Sequence, residues 1–156
     1  MNTISLEHNP DASNMAGIFK VTIINVNSIE TMLPYKDEVI ITTVNNPEIY
    51  SVKSKDVEVQ STMIKQGLYN HEVTLRAYTK NAKPSHAIAF DALSRKRFVV
   101  LLHYNNGKTF VIGNPEERIK LSFEDVSDGK ADGVTGYILT FFGRTTEPQQ
   151  VLNTLQ

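Results

Sequence analysis

The sequence predicts a mainly β fold of the α+β class, an antiparallel β-sandwich or partly open barrel with one helix, at about residues 85–95, packed on the sheet. Three observations predict it: runs of β-branched residues that alternate with polar ones, turn residues at the ends of those runs, and one alanine-containing segment of helical character. The chain has 156 residues, which suits one domain because domains commonly hold about 100–200 residues.

The first strands are predicted in the N-terminal half. Residues 18–26 form a β-branched run with loose alternation, and residues 38–44 form a second run. The second run ends at Asn45-Asn46-Pro47 because proline cannot donate a hydrogen bond to a ladder. Residues 34–37 are predicted to break the chain between the two strands, and further strands are predicted at 49–52 and 57–60.

A half-buried strand and the helix follow. Residues 71–78 alternate, which places Val73, Leu75 and Ala77 on one face. In the helix, Pro84 suits the first turn, and the segment that follows is rich in alanine. Ala89, Ala92 and Leu93 are predicted to share its packed face, and the cluster 95–97 places positive charge at its C-terminal end.

Two hairpins are predicted in the last third. Residues 97–104 and 109–113 form one, with Asn106-Gly107 at the corner and the first strand near the centre of a sheet. Residues 119–124 and 136–143 form the other, joined by a polar loop at 127–133. That loop is longer than most hairpin loops, and long loops are more often functional.

The domain organisation follows from these patterns. Residues 1–16 are predicted to form an extended N-terminal arm, 17–144 the β-rich domain, and 145–156 a C-terminal tail that is weakly structured or docks elsewhere. The N-terminus lacks a basic start followed by an apolar stretch, and no window approaches the roughly 20 apolar residues of a membrane span. Neither a signal peptide nor a membrane partner is therefore predicted.

Composition narrows the function classes. Apolar residues make up 40% and charged residues 21%, with a net charge of −1, which argues against disorder and against a nucleic-acid-binding polycation. The absence of cysteine removes disulfide scaffolds, thiol nucleophiles and thiolate metal sites.

No metal or cofactor is predicted. The four histidines, of which His103 is the best metal candidate, do not pair at a ligand spacing, so a hydrogen-bonded strand residue is the favoured interpretation of His103. An acidic group surrounds the loop within 124–136 and suggests calcium superficially: Glu124, Asp125, Asp128 and Asp132. The EF-hand order of ligands is absent, which favours a solvated loop.

No catalytic motif is found, so the chain is predicted not to be an enzyme. The nucleophile-elbow, phosphate-loop and dinucleotide signatures are missing. Gly107-Lys108-Thr109 ends like a phosphate loop, but Leu102 occupies the position of the upstream glycine. The basic cluster 95–97 is interpreted as a helix-end feature rather than a nucleic-acid contact.

Residues 71–148 resemble a group of small structural proteins of tailed bacteriophages and prophages of gut Bacteroidales, crAss-like phages included. The order and spacing of these segments carry the resemblance: Phe90-Asp91-Ala92-Leu93, 97–102, Asn105-Asn106-Gly107-Lys108, Ile112-Gly113, Asp132-Gly133, 136–141, 143–146 and Pro148. The resemblance implies a virion component of the neck or tail, repeated as a ring, without catalytic residues. It would be assembled in the host cytoplasm, with copies of itself and other neck or tail proteins as partners. DNA passing through the channel is a candidate non-specific contact.

The residues themselves suit such a subunit, because heterologous contacts close into rings through exposed edges, loops and extended termini. The candidate assembly contacts lie in the arm, the long loop and the tail: Asn9, Pro10, Asp128, Gly129, Lys130, Asp132 and Pro148. The choice among neck, tail tube and baseplate stays open. The alternative is a ligand- or carbohydrate-binding β module, monomeric or a small oligomer, with tyrosines as contact platforms: Tyr35, Tyr69, Tyr78 and Tyr104.

Overall fold

The computed structural model describes residues 17–54, 56–78, 84–127 and 135–156. These residues form eleven strands and one helix: β1 Ile18–Asn25, β2 Ile29–Tyr35, β3 Glu38–Thr43, β4 Ile49–Lys53, β5 Val57–Lys65, β6 Leu68–Tyr78, α1 Pro84–Ser94, β7 Phe98–Tyr104, β8 Thr109–Ile112, β9 Lys120–Ser127, β10 Thr135–Thr145 and β11 Gln150–Leu155. A short 3₁₀ turn, Val26–Ser28, separates β1 from β2.

The strands form two packed sheets. The large sheet has seven strands in the order β2-β3-β11-β8-β7-β1-β4, and the small sheet has four in the order β5-β6-β10-β9. Adjacent strands are antiparallel except β3 and β11, which are parallel. The predicted β-sandwich with one helix is confirmed, with the large sheet mixed rather than purely antiparallel.

The main core lies between the sheets. The large sheet contributes alternate side chains of β1 and β7, and the small sheet contributes the inward faces of β6, β9 and β10. The predicted inward positions Val73 and Leu75 of β6 are buried, as is His71 on the same face. β7 is buried from Phe98 to Leu102 and lies between β8 and β1, so its predicted central position is confirmed.

A second core lies on the other face of the large sheet. It joins Ile24 of β1, Val99 and Leu101 of β7, and Val39 and Ile41 of β3. Val111 of β8 and Leu152 of β11 lie between them in the sheet order, so this core runs across one face of the large sheet from β3 to β1.

The helix is close to its predicted range but packs through a different face. Ala87, Phe90 and Leu93 face the main core, and Phe90 lies 5.0 Å from the ring of Tyr137 and 5.9 Å from that of Phe123. The predicted face of Ala89, Ala92 and Leu93 is therefore corrected, because Ala89 and Ala92 remain exposed. The larger side chain of Phe90 gains more from burial than an alanine methyl does.

Both predicted hairpins form. In the first, Gly107 adopts φ +85° and its N–H donates to the carbonyl of Tyr104, while Asn106 caps the turn through the N–H of Lys108. In the second, β9 and β10 pair from Lys120 to Ser127. The connecting loop, including Asp128, Gly129, Lys130 and Asp132, lies outside the described residues.

The structure corrects three predictions. Residues 29–35 form strand β2 although Pro34 was expected to break the chain, because β2 is an edge strand and one side of it needs no hydrogen-bond donor. Strand β5 continues past residue 60 to Lys65. The expected tail is part of the large sheet, because β11 pairs with β3 on one side and β8 on the other.

Candidate functional site

The predicted assembly contacts fall mostly outside the described residues. This holds for Asn9 and Pro10 in the arm and for the contacts of the 127–133 loop. Pro148 is described and lies exposed in the linker between β10 and β11. The linker connects the small sheet to the large one, so Pro148 lies where the chain crosses between the sheets.

Exposed apolar side chains mark the tips of two hairpins. Leu33 and Tyr35, at the end of β2, are 58% and 49% exposed, and Met63 and Ile64, at the end of β5, are 58% and 49% exposed. Both β2 and β5 are edge strands. Folded proteins usually protect such edges with charge or proline, and exposed apolar residues on an edge strand make these two tips candidate contact surfaces.

A hydrogen-bonded relay anchors the base of the β5–β6 hairpin. The buried His71 lies with Nδ1 2.8 Å from the Ser61 hydroxyl and Nε2 2.8 Å from that of Thr145. Thr145 donates to the carbonyl of Glu147, so its oxygen accepts from His71 Nε2–H and leaves Nδ1 to accept from Ser61. Gln149 donates to Ser61 at 2.8 Å, which completes a chain of bonds from the hairpin to the linker.

Burial lowers the pKa of His71. Burial disfavours the charged imidazolium more than the Glu147 carbonyl favours it, so His71 is neutral near pH 7. Neutral His71 matches the relay, in which one ring nitrogen donates and the other accepts. These side-chain hydrogen bonds therefore tie the β5–β6 hairpin to the linker.

A groove of about 520 Å³ runs along edge strand β2. It lies between β2, the turn at Asn114-Pro115 and the linker that carries Glu147. Asn114 caps the turn by accepting from the N–H groups of Glu116 and Glu117 at 2.9 and 2.8 Å. Burial raises the pKa of Glu117, but hydrogen bonds from Thr146 and Asn114 outweigh it and leave that pKa lowered, so this carboxylate fastens the turn to the linker.

His103 is not placed as a metal ligand. Its ring nitrogens lie 2.8 Å from the Thr22 hydroxyl and 3.2 Å from that of Thr109. Burial and the nearby Lys20 lower its pKa. The favoured interpretation, a hydrogen-bonded strand residue, matches this geometry. Within residues 17–54, 56–78, 84–127 and 135–156, no three His, Asp or Glu side chains are grouped to hold a metal ion.

Of the predicted acidic group, Asp128 and Asp132 lie outside the described residues. Glu124 and Asp125 are exposed near the end of β9. Tyr35 is exposed, but Tyr69 stacks on His71 at 6.5 Å, and Tyr104 packs edge-on against Phe110 at 5.1 Å. Burial raises the pKa of Tyr104. The described tyrosines therefore do not form a shared platform.

An apolar cleft of about 360 Å³ opens between α1 and strand β4. The sheets form its floor and the helix one wall. It exists because Ala89 and Ala92 present only methyl groups toward β4, where longer side chains would fill the gap. The lining residues are Ile23, Tyr50, Ser51, Val52, Ala89, Phe90, Ala92, Leu93, Lys96, Leu121, Leu139 and Phe141.

A polar cluster sits at the mouth of the cleft. Glu48 accepts hydrogen bonds from Asn25 at 2.8 Å, Tyr50 at 2.7 Å and the ammonium of Lys96. The bond from Lys96, followed by that from Tyr50, lowers the pKa of Glu48, and the same carboxylate raises the pKa of Lys96 and of Tyr50. Two residues of the basic cluster 95–97 thus have different acidic partners. Lys96 pairs with Glu48, whereas Arg95 pairs with Asp91 at 3.1 Å.

Sequence reasoning missed the exposed tips, the relay and the cleft. One signal was available for His71, since it shares the alternation of the inward-facing Val73 and Leu75. Nothing local signals the cleft, whose walls come from segments far apart in the chain.

The chain matches no protein-family model, no curated protein and no solved structure. No helix among the described residues is long and apolar enough to cross a membrane.

Proposed function

We propose that this chain is a non-enzymatic structural protein of a tailed-bacteriophage virion, a ring-forming subunit of the neck, connector or tail. Its partners are copies of itself and other virion proteins, with DNA in the channel as a non-specific contact. The apolar tips on two edge strands are the observation that carries the proposal, and the resemblance of residues 71–148 to phage structural proteins supplies the biological setting.

The tips suit assembly for a physical reason. The pair Met63 and Ile64 ends one edge strand and the pair Leu33 and Tyr35 ends the other, so each sheet offers both unpaired backbone and apolar side chains. Two different contact surfaces on one subunit make a head-to-tail interface, and such an interface closes into a ring when the rotation permits.

The relay at His71 supports the same function. It ties Ser61 at the hairpin base to the linker through Gln149, and that linker also borders the groove beside β2. A contact element held in its bound conformation loses less conformational entropy on association. The hairpin tip is therefore a preorganised contact.

A tip variant tests the proposal. Replacing Met63 and Ile64 together by serine and threonine removes the apolar tip at exposed positions, where folding stability changes by only about 0.5 kcal/mol or less per site. The matched control is Ile88→Ser, because Ile88 is 71% exposed on the helix but lies on no edge strand. Light scattering after size exclusion should show oligomers for wild type and control and a shift toward monomer for the tip variant. Equal assembly of the tip variant and the wild type would remove the tip from the interface.

The virion setting has its own test. Genes for portal, capsid or tape-measure proteins are expected beside the gene for this chain, and the protein is expected in purified particles. A metabolic operon at that position, with no protein in particles, would contradict the virion role even if the chain oligomerised.

A further inference from the structure

The cleft beneath α1 has the size and lining of a small-ligand site. Its volume of about 360 Å³ lies at the small end of the roughly 300–1,000 Å³ of ligand pockets, which are mostly apolar with a few placed polar groups. The floor is built by buried side chains of both sheets, Ile23, Leu139 and Phe141 among them. A ligand here would replace water against apolar walls.

Lys96 is the charged residue of the lining, and its ion-pair partner Glu48 lies at the same mouth. Among the described residues that line the cleft, it carries the one charge, at the mouth beside Tyr50 and Ser51. Its ammonium gives one hydrogen bond to Glu48, and an ammonium has three donors. Glu48 holds the ammonium in place, which leaves two N–H donors for a ligand.

Apolar walls with ammonium hydrogen-bond donors at the mouth suit an amphipathic ligand whose polar end accepts hydrogen bonds. We propose that the cleft binds an aliphatic monocarboxylate of medium length, with its hydrocarbon chain on Phe90 and the floor and its carboxylate on Lys96. This site lies apart from the hairpin tips and does not depend on the assembly proposed above.

Titration calorimetry with decanoate tests the site, and a chain-length series tests its apolar part. Each methylene buried contributes about fourfold in affinity. Affinity is therefore expected to rise about fourfold per methylene from hexanoate upward and to level off once the cleft is full. A flat series, or no binding by the wild-type chain, would overturn the proposal.

Two variants with matched controls locate the site. Lys96→Met is expected to weaken decanoate about tenfold, since a charged hydrogen bond is lost, while leaving decanol binding unchanged. Ala92→Phe is expected to abolish binding of both by filling the cleft. Lys53→Met and Ile88→Phe are the controls, since neither residue lines the cleft, and both should bind as wild type.

Further outcomes would contradict the proposal. Unchanged binding by Ala92→Phe would place the ligand elsewhere, such as the apolar hairpin tips. Equal weakening of decanoate and decanol by Lys96→Met would show a structural effect, and Lys96→Gln repeats this test should the methionine variant unfold.

Discussion

Gly143→Ala probes the point where the chain crosses between the sheets. Ile119, just before β9, exchanges two backbone hydrogen bonds of 2.9 Å with Phe98 of the large sheet. A Cβ added at Gly143 would lie 2.8 Å from Ile119 Cδ1 and 3.0 Å from the Arg118 carbonyl oxygen. Ile119 is buried, so its methyl group cannot rotate away without losing packing contacts, and the carbonyl belongs to the backbone and cannot move easily.

The magnitude follows from these contacts. Overpacking of this kind costs about 2–3 kcal/mol, and the reduced freedom of the unfolded chain returns about 0.5–1 kcal/mol. Gly143→Ala should therefore destabilise the fold by about 2 kcal/mol. Ile119→Val alone should cost about 1 kcal/mol. Ile119→Val removes Cδ1 and so relieves part of the clash. The double variant should therefore lose about 1 kcal/mol less unfolding free energy than the two single variants lose in sum.

Urea denaturation followed by far-ultraviolet circular dichroism measures these free energies, as the chain has no tryptophan. Ile112→Val is the matched control, because Ile112 is equally buried but is not among the nearest atoms to a Cβ at Gly143. Its effect should add to that of Gly143→Ala. The packing argument would be refuted if the losses from Ile119→Val and Gly143→Ala simply added, or if Gly143→Ala left the free energy of unfolding unchanged.

Two further predictions concern the relay and the last strand. Burial lowers the pKa of His71 in the folded chain. Near and below the ordinary histidine pKa of about 6.5, the unfolded chain therefore binds more protons at this residue than the folded chain does. The free energy of unfolding should thus fall from pH 7.5 to pH 5.5 in the wild type, and it should fall less in His71→Gln, which keeps His103. An equal fall in the two proteins would contradict this. Deleting residues 150–156 removes β11 and the bonds of Gln156 to Ile41 and Thr43. The truncated chain should lose on the order of 3–5 kcal/mol by the same assay, whereas a dispensable tail would leave stability unchanged.

Much of the fold could be predicted because its information is local. β1, β3, β7 and β8 are runs of β-branched or apolar residues bounded by turn residues, and Asn106-Gly107 specifies a tight corner. The helix begins at Pro84 and is short enough for local propensity to define it.

The rest depends on contacts between distant segments. β11 has little alternation of its own and becomes a strand by inserting between β3 and β8. Pro34 predicts the end of a strand. Strand β2 tolerates this proline because β2 lies at the edge of the sheet, and that position cannot be inferred from the sequence. The cleft likewise forms only where β4, α1 and the small sheet meet. The sequence therefore indicates that Lys96 is a charge at the end of a helix, but not that it lines a cleft.

The mass of the wild-type chain in solution tests the proposed self-assembly most directly. Mass photometry or light scattering over a wide range of protein concentration should give a discrete complex whose mass is an integer multiple of 17.5 kDa. Electron microscopy of that complex should show closed rings. A mass of 17.5 kDa at every concentration, with no rings, would contradict the proposal that this chain is a ring-forming subunit.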